Sequence, residues 1–219
     1  MTEVQLAAKF IDYFAGFDIY KEVPTRGSII DIVVDGVCPA GYSIGLRIGI
    51  EVKCNLNFDV IEQAINQRKC FHYTYIAVPC KYRPHAIARK ICEQYGIGIL
   101  GYNKISKTVM EHVNPKLNRK PLPVELQDYM KRSVAGSQNE RITSWGYFVE
   151  HLTETVRRRK DGITVEDCYK QLEHKHYKTL SLFKNSTYKY INHGIIKNIV
   201  HEKGRFYYRE QEAIQGNKG

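Results

Sequence analysis

Ile48-Gly49-Ile50-Glu51-Val52-Lys53 decides how this chain is read. Three of its six residues are β-branched, so the stretch reads as a buried strand, yet it carries an acid and an amine. Side chains two apart on a strand share a face, so Glu51 and Lys53 are neighbours. The letters E-x-K alone are weak, since about one match is expected by chance in a chain of this length. Glu173-His174-Lys175 repeats the pattern, but at the end of a predicted helix without a strand-borne Asp beside it. Upstream of the first run, Ile29 to Val34 reads as another β-branched strand and contains Asp31. If the two strands pair as an antiparallel hairpin, Asp31 comes close to Glu51 across the ladder.

Around this pair the first half of the chain reads as mixed α/β. Val4, Leu6, Ala7, Phe10, Ile11 and Phe14 recur at helical spacing over 3–15 and stop at Gly16. Phe17 to Val23 alternates as a strand, Pro24-Thr25-Arg26-Gly27 turns, and Asp35-Gly36 turns again after the second strand. The third strand spans 42–54, and Asn57 caps a helix from Phe58 to about Phe71. A strand at Tyr73 to Val78, a helix from Pro84 to Gly96 and a strand at Ile97 to Tyr102 complete the order α-β-β-β-α-β-α-β.

Two carboxylates a few ångströms apart repel, and charge is costly in an apolar strand, unless a divalent cation neutralises them. Mg²⁺ suits carboxylate oxygen, water and substrate phosphate, with Mn²⁺ as an alternative ion. An adjacent lysine could orient or deprotonate a water, or stabilise charge building on a phosphorane-like transition state. The same residues also fit a surface Glu–Lys pair on an edge strand, with Asp31 merely near a turn.

The element order, the Asp on the second strand, the E-x-K on the third and a glutamine-bearing helix after it resemble the PD-(D/E)xK nuclease superfamily, the restriction-endonuclease-like fold. The resemblance covers residues 3 to 103 and implies that Asp31 and Glu51 hold Mg²⁺ and Lys53 acts on the water. It extends to Ile61-Glu62-Gln63-Ala64-Ile65-Asn66-Gln67, where Gln63 and Gln67 share a helix face and Gln63, followed by Ala64, is the better match. Ile30 stands where a proline is common in the superfamily. A further acid often comes from the first helix or strand, which nominates Glu3 and Glu22, although each also fits a solvated surface position.

The chain has 219 residues, 43% of them apolar and 26% charged, with a net charge of +10. It therefore reads as globular and as suited to a polyanionic partner. The charge is uneven, with 13 Lys and Arg against 11 Asp and Glu over 1–112, and 20 against 12 over 113–219. No apolar run is long enough to span a membrane and no basic leader precedes an apolar stretch, so a cytoplasmic protein is expected. Six scattered cysteines without a C-x-x-C pair argue against disulfides and zinc knuckles. His174, His176, His193 and Cys168 fit no strong zinc spacing, and isolated His72 and His85 read as structural.

Pro115, Pro121 and Pro123 forbid a continuous helix and mark 113–140 as a linker between a 1–112 nuclease-like domain and a 141–212 domain. In the latter, Thr143-Ser144 caps a helix burying Trp145, Phe148, Val149, Leu152 and Val156. Thr164 caps a second helix, and a third runs from about Tyr177 to Asn192 before Gly194 stops it. Ile195 to Val200 and Phe206 to Arg209 form a hairpin with a basic tip. Three helices and a hairpin are the plan of a winged helix-turn-helix, whose third helix enters the major groove of DNA. Lys178, Lys184, Lys189, Lys197, Lys203 and Arg205 would meet phosphates, with Ser181, Asn185 and Tyr188 nearer base edges. The same surface also fits a protein-docking module. The expectation is thus a Mg²⁺-dependent endonuclease acting on DNA, with RNA processing or a non-catalytic DNA-binding regulator as alternatives. Double-strand cutting from one site per chain would call for a homodimer.

Overall fold

A computed structural model describes residues 1–37, 45–80, 86–137, 141–172 and 176–210. The chain divides into two compact units, Met1–Ile142 and Thr143–Gly219. The first contains α1 (Glu3–Tyr13), β1 (Asp18–Pro24), β2 (Ile29–Val37), β3 (Leu46–Val52), α2 (Phe58–Gln67), β4 (Tyr73–Pro79), α3 (Ala86–Tyr95), β5 (Gly98–Asn103) and β6 (Thr108–Val113). Its six strands lie in sequence order in one sheet. Strands β1, β2 and β3 are antiparallel neighbours, β3, β4 and β5 are parallel, and β6 closes the sheet antiparallel to β5.

The two parallel connections each need a crossover, which α2 and α3 supply. Both pack on one face through Val60, Ile61, Ala64, Ala88 and Cys92 against Ile76, Val78, Ile97 and Ile99. On the other face α1 inserts Leu6, Ala7 and Phe10 against Ile32, Ile48, Ile50 and Val52. The alternation of β3 between these layers is what leaves Glu51 facing α2. Gly49, on that same face, is pressed against the Phe71 ring, and an added Cβ would also lie 2.7 Å from Ile30 Cδ1. Gly49→Ala is therefore expected to cost about 1–3 kcal/mol through overpacking, read as a lower urea midpoint with an unchanged slope.

Several boundaries differ from the sequence reading. The strand expected over 42–54 ends its ladder at Val52, and 42–44 fall outside the described residues. α2 stops at Gln67 and tightens into a 3₁₀ turn over Arg68–Cys70. The expected Asp35-Gly36 turn is a shift of register inside β2, with Gly36 at φ 80. β6 was not anticipated, because it is an edge strand with mostly exposed side chains.

Of the linker expected over 113–140, residues 113–137 fold as part of the first unit, and 138–140 fall outside the described residues. Its prolines exclude helix, but the extended backbone donates from Lys116 N to Gly96 O (3.0 Å), from Asn118 N to His72 O (2.8 Å) and from Leu122 N to Lys69 O (2.8 Å). The Arg47 side chain grips both this segment, through the Val124 carbonyl (2.9 Å), and Asp35 (2.9 Å). A 3₁₀ turn at Asp128–Arg132 then buries Tyr129 and Met130.

The second unit is smaller and mainly helical: α4 (Ser144–Arg157), β7 (Ile163–Thr164), α5 (Val165–Gln171), α6 (Leu180–Asn192), β8 (Ile199–Glu202) and β9 (Arg205–Tyr208). Thr143, Thr164 and Thr179 cap its helices by accepting from Gly146 N, Asp167 N and Leu182 N. Phe148, Leu152, Cys168, Phe183 and Phe206 form its core. α6 begins three residues later than expected. Strand β7, too short to show any alternation, pairs with β9. The β8–β9 turn is Lys203-Gly204 with both φ positive, the backbone that matches strand twist in a two-residue hairpin.

Candidate active site

The β2–β3 ladder pairs Ile32 with Ile50, Val33 with Gly49 and Val34 with Ile48. One step further along this register Asp31 stands opposite Glu51. The β1–β2 register pairs Lys21 with Ile32 and Val23 with Ile30, which puts Glu22 opposite Asp31 on the other side. Three strands thus deliver Glu22, Asp31 and Glu51 to one row. At this row the ladder gives way to side chains: Asp31 Oδ2 accepts from Val52 N at 2.7 Å. Glu22 has left the extended region for φ 53, and its Oε1 accepts from Gly136 N at 2.8 Å.

Lys53, the first residue past β3, closes on the group. Its Nζ lies 3.1 Å from Glu51 Oε1, 3.6 Å from Asp31 Oδ2 and 3.6 Å from Glu3 Oε2 at the start of α1. Asp31, Glu51 and Glu22 are buried, with 7%, 3% and 5% of their surface exposed. Such burial disfavours the charged form of Asp31 and of Glu22. Burial, then the Glu51 charge, pushes the Asp31 carboxyl up to about 7, against the pull of Lys53 and the Val52 amide. Burial likewise raises Glu22, opposed by its Gly136 hydrogen bond and by Arg141. For Lys53, burial acts to lower the pKa, but Asp31, Glu51 and Glu3 together outweigh it and hold the ammonium above its ordinary range.

Gln63, the favoured glutamine of the sequence reading, is exposed on α2. Gln67 takes the position instead. Only 1% exposed, it donates through Nε2 to Glu51 Oε2 (3.0 Å) and to the Ile29 carbonyl (3.2 Å). Because both bonds require the NH₂ end, the amide orientation is fixed, and its Oε1 is left buried without a partner. Gln67→Ala should therefore free the Glu51 carboxylate and leave a void, lowering stability by about 1–3 kcal/mol. Gln63→Ala should change it by less than about 0.5 kcal/mol, both being read in urea melts.

Of the residues expected to hold an ion, Asp31 and Glu51 are adjacent. The donors present are hard oxygens, the Asp31 carboxyl is raised by burial and by the neighbouring Glu51 charge, and an amide oxygen is unused. These suit Mg²⁺. Among the described residues no three His, Cys, Asp or Glu side chains form a ready metal cage. An ion here would thus depend on two carboxylates, with water and substrate oxygens filling its shell, which is how Mg²⁺ is usually bound.

In the second unit Lys178, Ser181, Asn185, Lys189, Lys197 and Lys203 are exposed. Three other residues expected to face nucleic acid are engaged within the unit. Tyr188 stacks on His201 with ring centroids 4.0 Å apart, Lys184 lies 3.9 Å from Glu166, and Arg205 donates to the Asp161 and Gly162 carbonyls. Tyr188 is half-buried because it packs on the β8–β9 hairpin. Cys168 is buried in the core, and His174 lies outside the described residues.

No protein-family model and no curated protein matches the chain. Among solved structures, a protein of unknown function from Silicibacter pomeroyi is similar at 16% identity over 69% of this chain and 92% of its own, with a TM-score of 0.31, a likeness that fixes neither fold nor activity. Among the described residues no helix is long and apolar enough to cross a membrane.

Proposed function

We propose that this protein is a Mg²⁺-dependent nuclease of restriction-endonuclease-like fold that hydrolyses phosphodiesters in DNA, with a winged-helix second unit for target binding. One observation carries the reading: Lys53 Nζ lies within 3.6 Å of both Asp31 and Glu51 at the C-terminal end of β3. The element order and the opposition of Asp31 to Glu51 support the fold. The helix, strand, two helices and hairpin of the second unit support the winged-helix reading. Exposed Lys178, Ser181, Asn185 and Lys189 would face the major groove and Lys203 the adjacent backbone.

Asp31 and Glu51 would hold the ion, and Gln67 fixes the rotamer of Glu51. When bound, Mg²⁺ supplies Lewis-acid polarisation of the phosphate and a water of lowered pKa. Lys53 stays protonated at neutral pH, so its part is that of a donor. It orients the attacking water and stabilises negative charge on the phosphorane-like oxygens, not that of a general base. Glu3 and Lys53 exchange an ion pair at the mouth of the site and thereby hold the ammonium near the carboxylates.

A second reading, a non-catalytic DNA-binding protein whose first unit is a scaffold, is favoured by the closure of Lys53 on all three acids, which partly neutralises them without a metal. Incubation of the purified protein with supercoiled plasmid separates the two. Nicking that requires Mg²⁺ or Mn²⁺ and stops with EDTA supports the nuclease; binding without cleavage supports the scaffold. Parallel RNA substrates decide which sugar is read.

A further inference from the structure

Strands β3, β4 and β5 are parallel, so their C-terminal ends meet at one edge of the sheet. Their registers put Val52, Ala77 and Leu100 in one row. Beyond this row come Lys53, the first residue after β3, and, after β5 has run three residues further to Asn103, the turn Lys104-Ile105-Ser106-Lys107 that leads into β6. Two strand spacings separate these chains laterally, about 10 Å, and Ile105 stands four residues, roughly 13 Å, further out than Lys53. That turn therefore lies on the same edge as the carboxylate cluster.

A cleft joins them. It is lined by Cys54, Asn55, Pro79, Cys80, Lys104 and Ile105, and no described residue of its wall is acidic. At its near end Cys54 Sγ donates to the Met1 carbonyl (3.4 Å), next to the Glu3–Lys53 ion pair. At its far end Ile105 is 95% exposed, more than any other large apolar residue described.

An isolated exposed isoleucine is ordinary on a protein surface. This one is held on a stiff mount. Asn103 Oδ1 accepts from both Ile105 N (2.9 Å) and Ser106 N (3.2 Å), and the Ser106 and Thr108 hydroxyls are hydrogen-bonded at 2.7 Å. Lys104 and Lys107 flank it, both exposed, and Lys107 at φ 56 turns the backbone back into β6. An apolar side chain between cations on a rigid tip is the arrangement by which proteins wedge between base steps and bind the flanking phosphates.

We infer that the β5–β6 tip is a second nucleic-acid contact in which Ile105 enters an unstacked step while Lys104 and Lys107 hold the neighbouring phosphates, so that the preferred substrate is DNA with a locally opened step. The inference rests on the nuclease reading only in taking DNA as the substrate. The spacing from Lys53 to the tip falls within one turn of duplex, about 34 Å, so a single DNA molecule can occupy both.

The test is binding of the full chain, in EDTA, to a short duplex and to the same duplex with one central mismatch flanked by 2-aminopurine. The wild type should bind the mismatched duplex roughly tenfold tighter, because part of the unstacking cost is already met, and should raise the 2-aminopurine fluorescence. Ile105→Ser, at a position too exposed to disturb folding, should remove both effects and leave affinity for intact duplex unchanged. Lys104→Ala and Lys107→Ala should each reduce the slope of log affinity against log salt by about 1 on both duplexes. Equal affinity of the wild type for the two duplexes, or an unaltered preference in Ile105→Ser, overturns the inference. Cleavage in Mg²⁺ is scored in parallel. A protein that reads the mismatch through Ile105 but never cuts sinks the nuclease reading alone, and Lys53-dependent cutting indifferent to Ile105→Ser sinks the tip alone.

Discussion

Replacing Lys53 by methionine is expected to reduce Mg²⁺-dependent cleavage of plasmid by about 10²–10³-fold, the usual loss for a donor aimed at developing oxyanion charge. Methionine keeps most of the side-chain volume, so the change is chiefly electrostatic. DNA affinity should change little, because the exposed lysines of the second unit are untouched. The variant should also lose stability: Glu51, only 3% exposed, would keep its Gln67 hydrogen bond but lose its cation, and Asp31 would lose its own. Breaking a buried ion pair from one side costs about 3–5 kcal/mol, roughly 6–20 °C in melting temperature for a chain of this size. Proton uptake relieves part of that cost, so the deficit should be larger at pH 8 than at pH 5.5. Undiminished cleavage by Lys53→Met would remove this residue from the mechanism and with it the nuclease reading.

Stability of the metal-free wild type should fall as pH rises from about 4 to about 7. The sign follows from Asp31, whose carboxyl titrates near 3.8 when unperturbed but near 7 in the fold, raised by burial and by Glu51. Between those values the native state binds a proton that the unfolded chain has released, so raising pH favours unfolding, by at most about 1.4 kcal/mol per pH unit. Below pH 4 both states are protonated and above pH 7 both are ionised, and this contribution is flat. Asp31→Asn should lose that slope. Millimolar Mg²⁺ should raise the melting temperature at pH 8, where Asp31 is a carboxylate, and do little at pH 5.5, where the proton competes with the ion. Calorimetric melts at the two pH values, with and without EDTA, measure both effects. If Mg²⁺ shifts the wild type no more than it shifts Asp31→Asn at pH 8, Asp31 holds no ion.

The sequence made the centre of the first unit legible because its strands are continuous β-branched runs joined by strong turn residues. The opposition of Asp31 to Glu51 follows from a single hairpin register. The caps at Thr143 and Thr164 were equally readable, since a cap is a local bond between residues three apart, whereas Thr179 was hidden by a helix start placed at Tyr177. The choice between Gln63 and Gln67 was legible only in part. Val60, Ala64 and Gln67 continue one buried stripe of α2, whereas Gln63 lies with Glu62 and Asn66 on the exposed side. Residue pattern alone does not reveal the left-handed backbone of Glu22, nor the run from Pro115 to Gly136. Their positions depend on bonds to residues 20 to 114 positions away, which leave no local periodicity.

The return of that run to the sheet bears on how the molecule can be dissected. A polypeptide cut at residue 112 would strip the Val124 carbonyl from Arg47 and the Gly136 amide from Glu22, leaving that buried acid beside Asp31 without this hydrogen bond. A fragment meant to keep the acidic row intact should therefore run to Ile142, and a domain swap grafting the second unit elsewhere should be spliced there, not at the prolines.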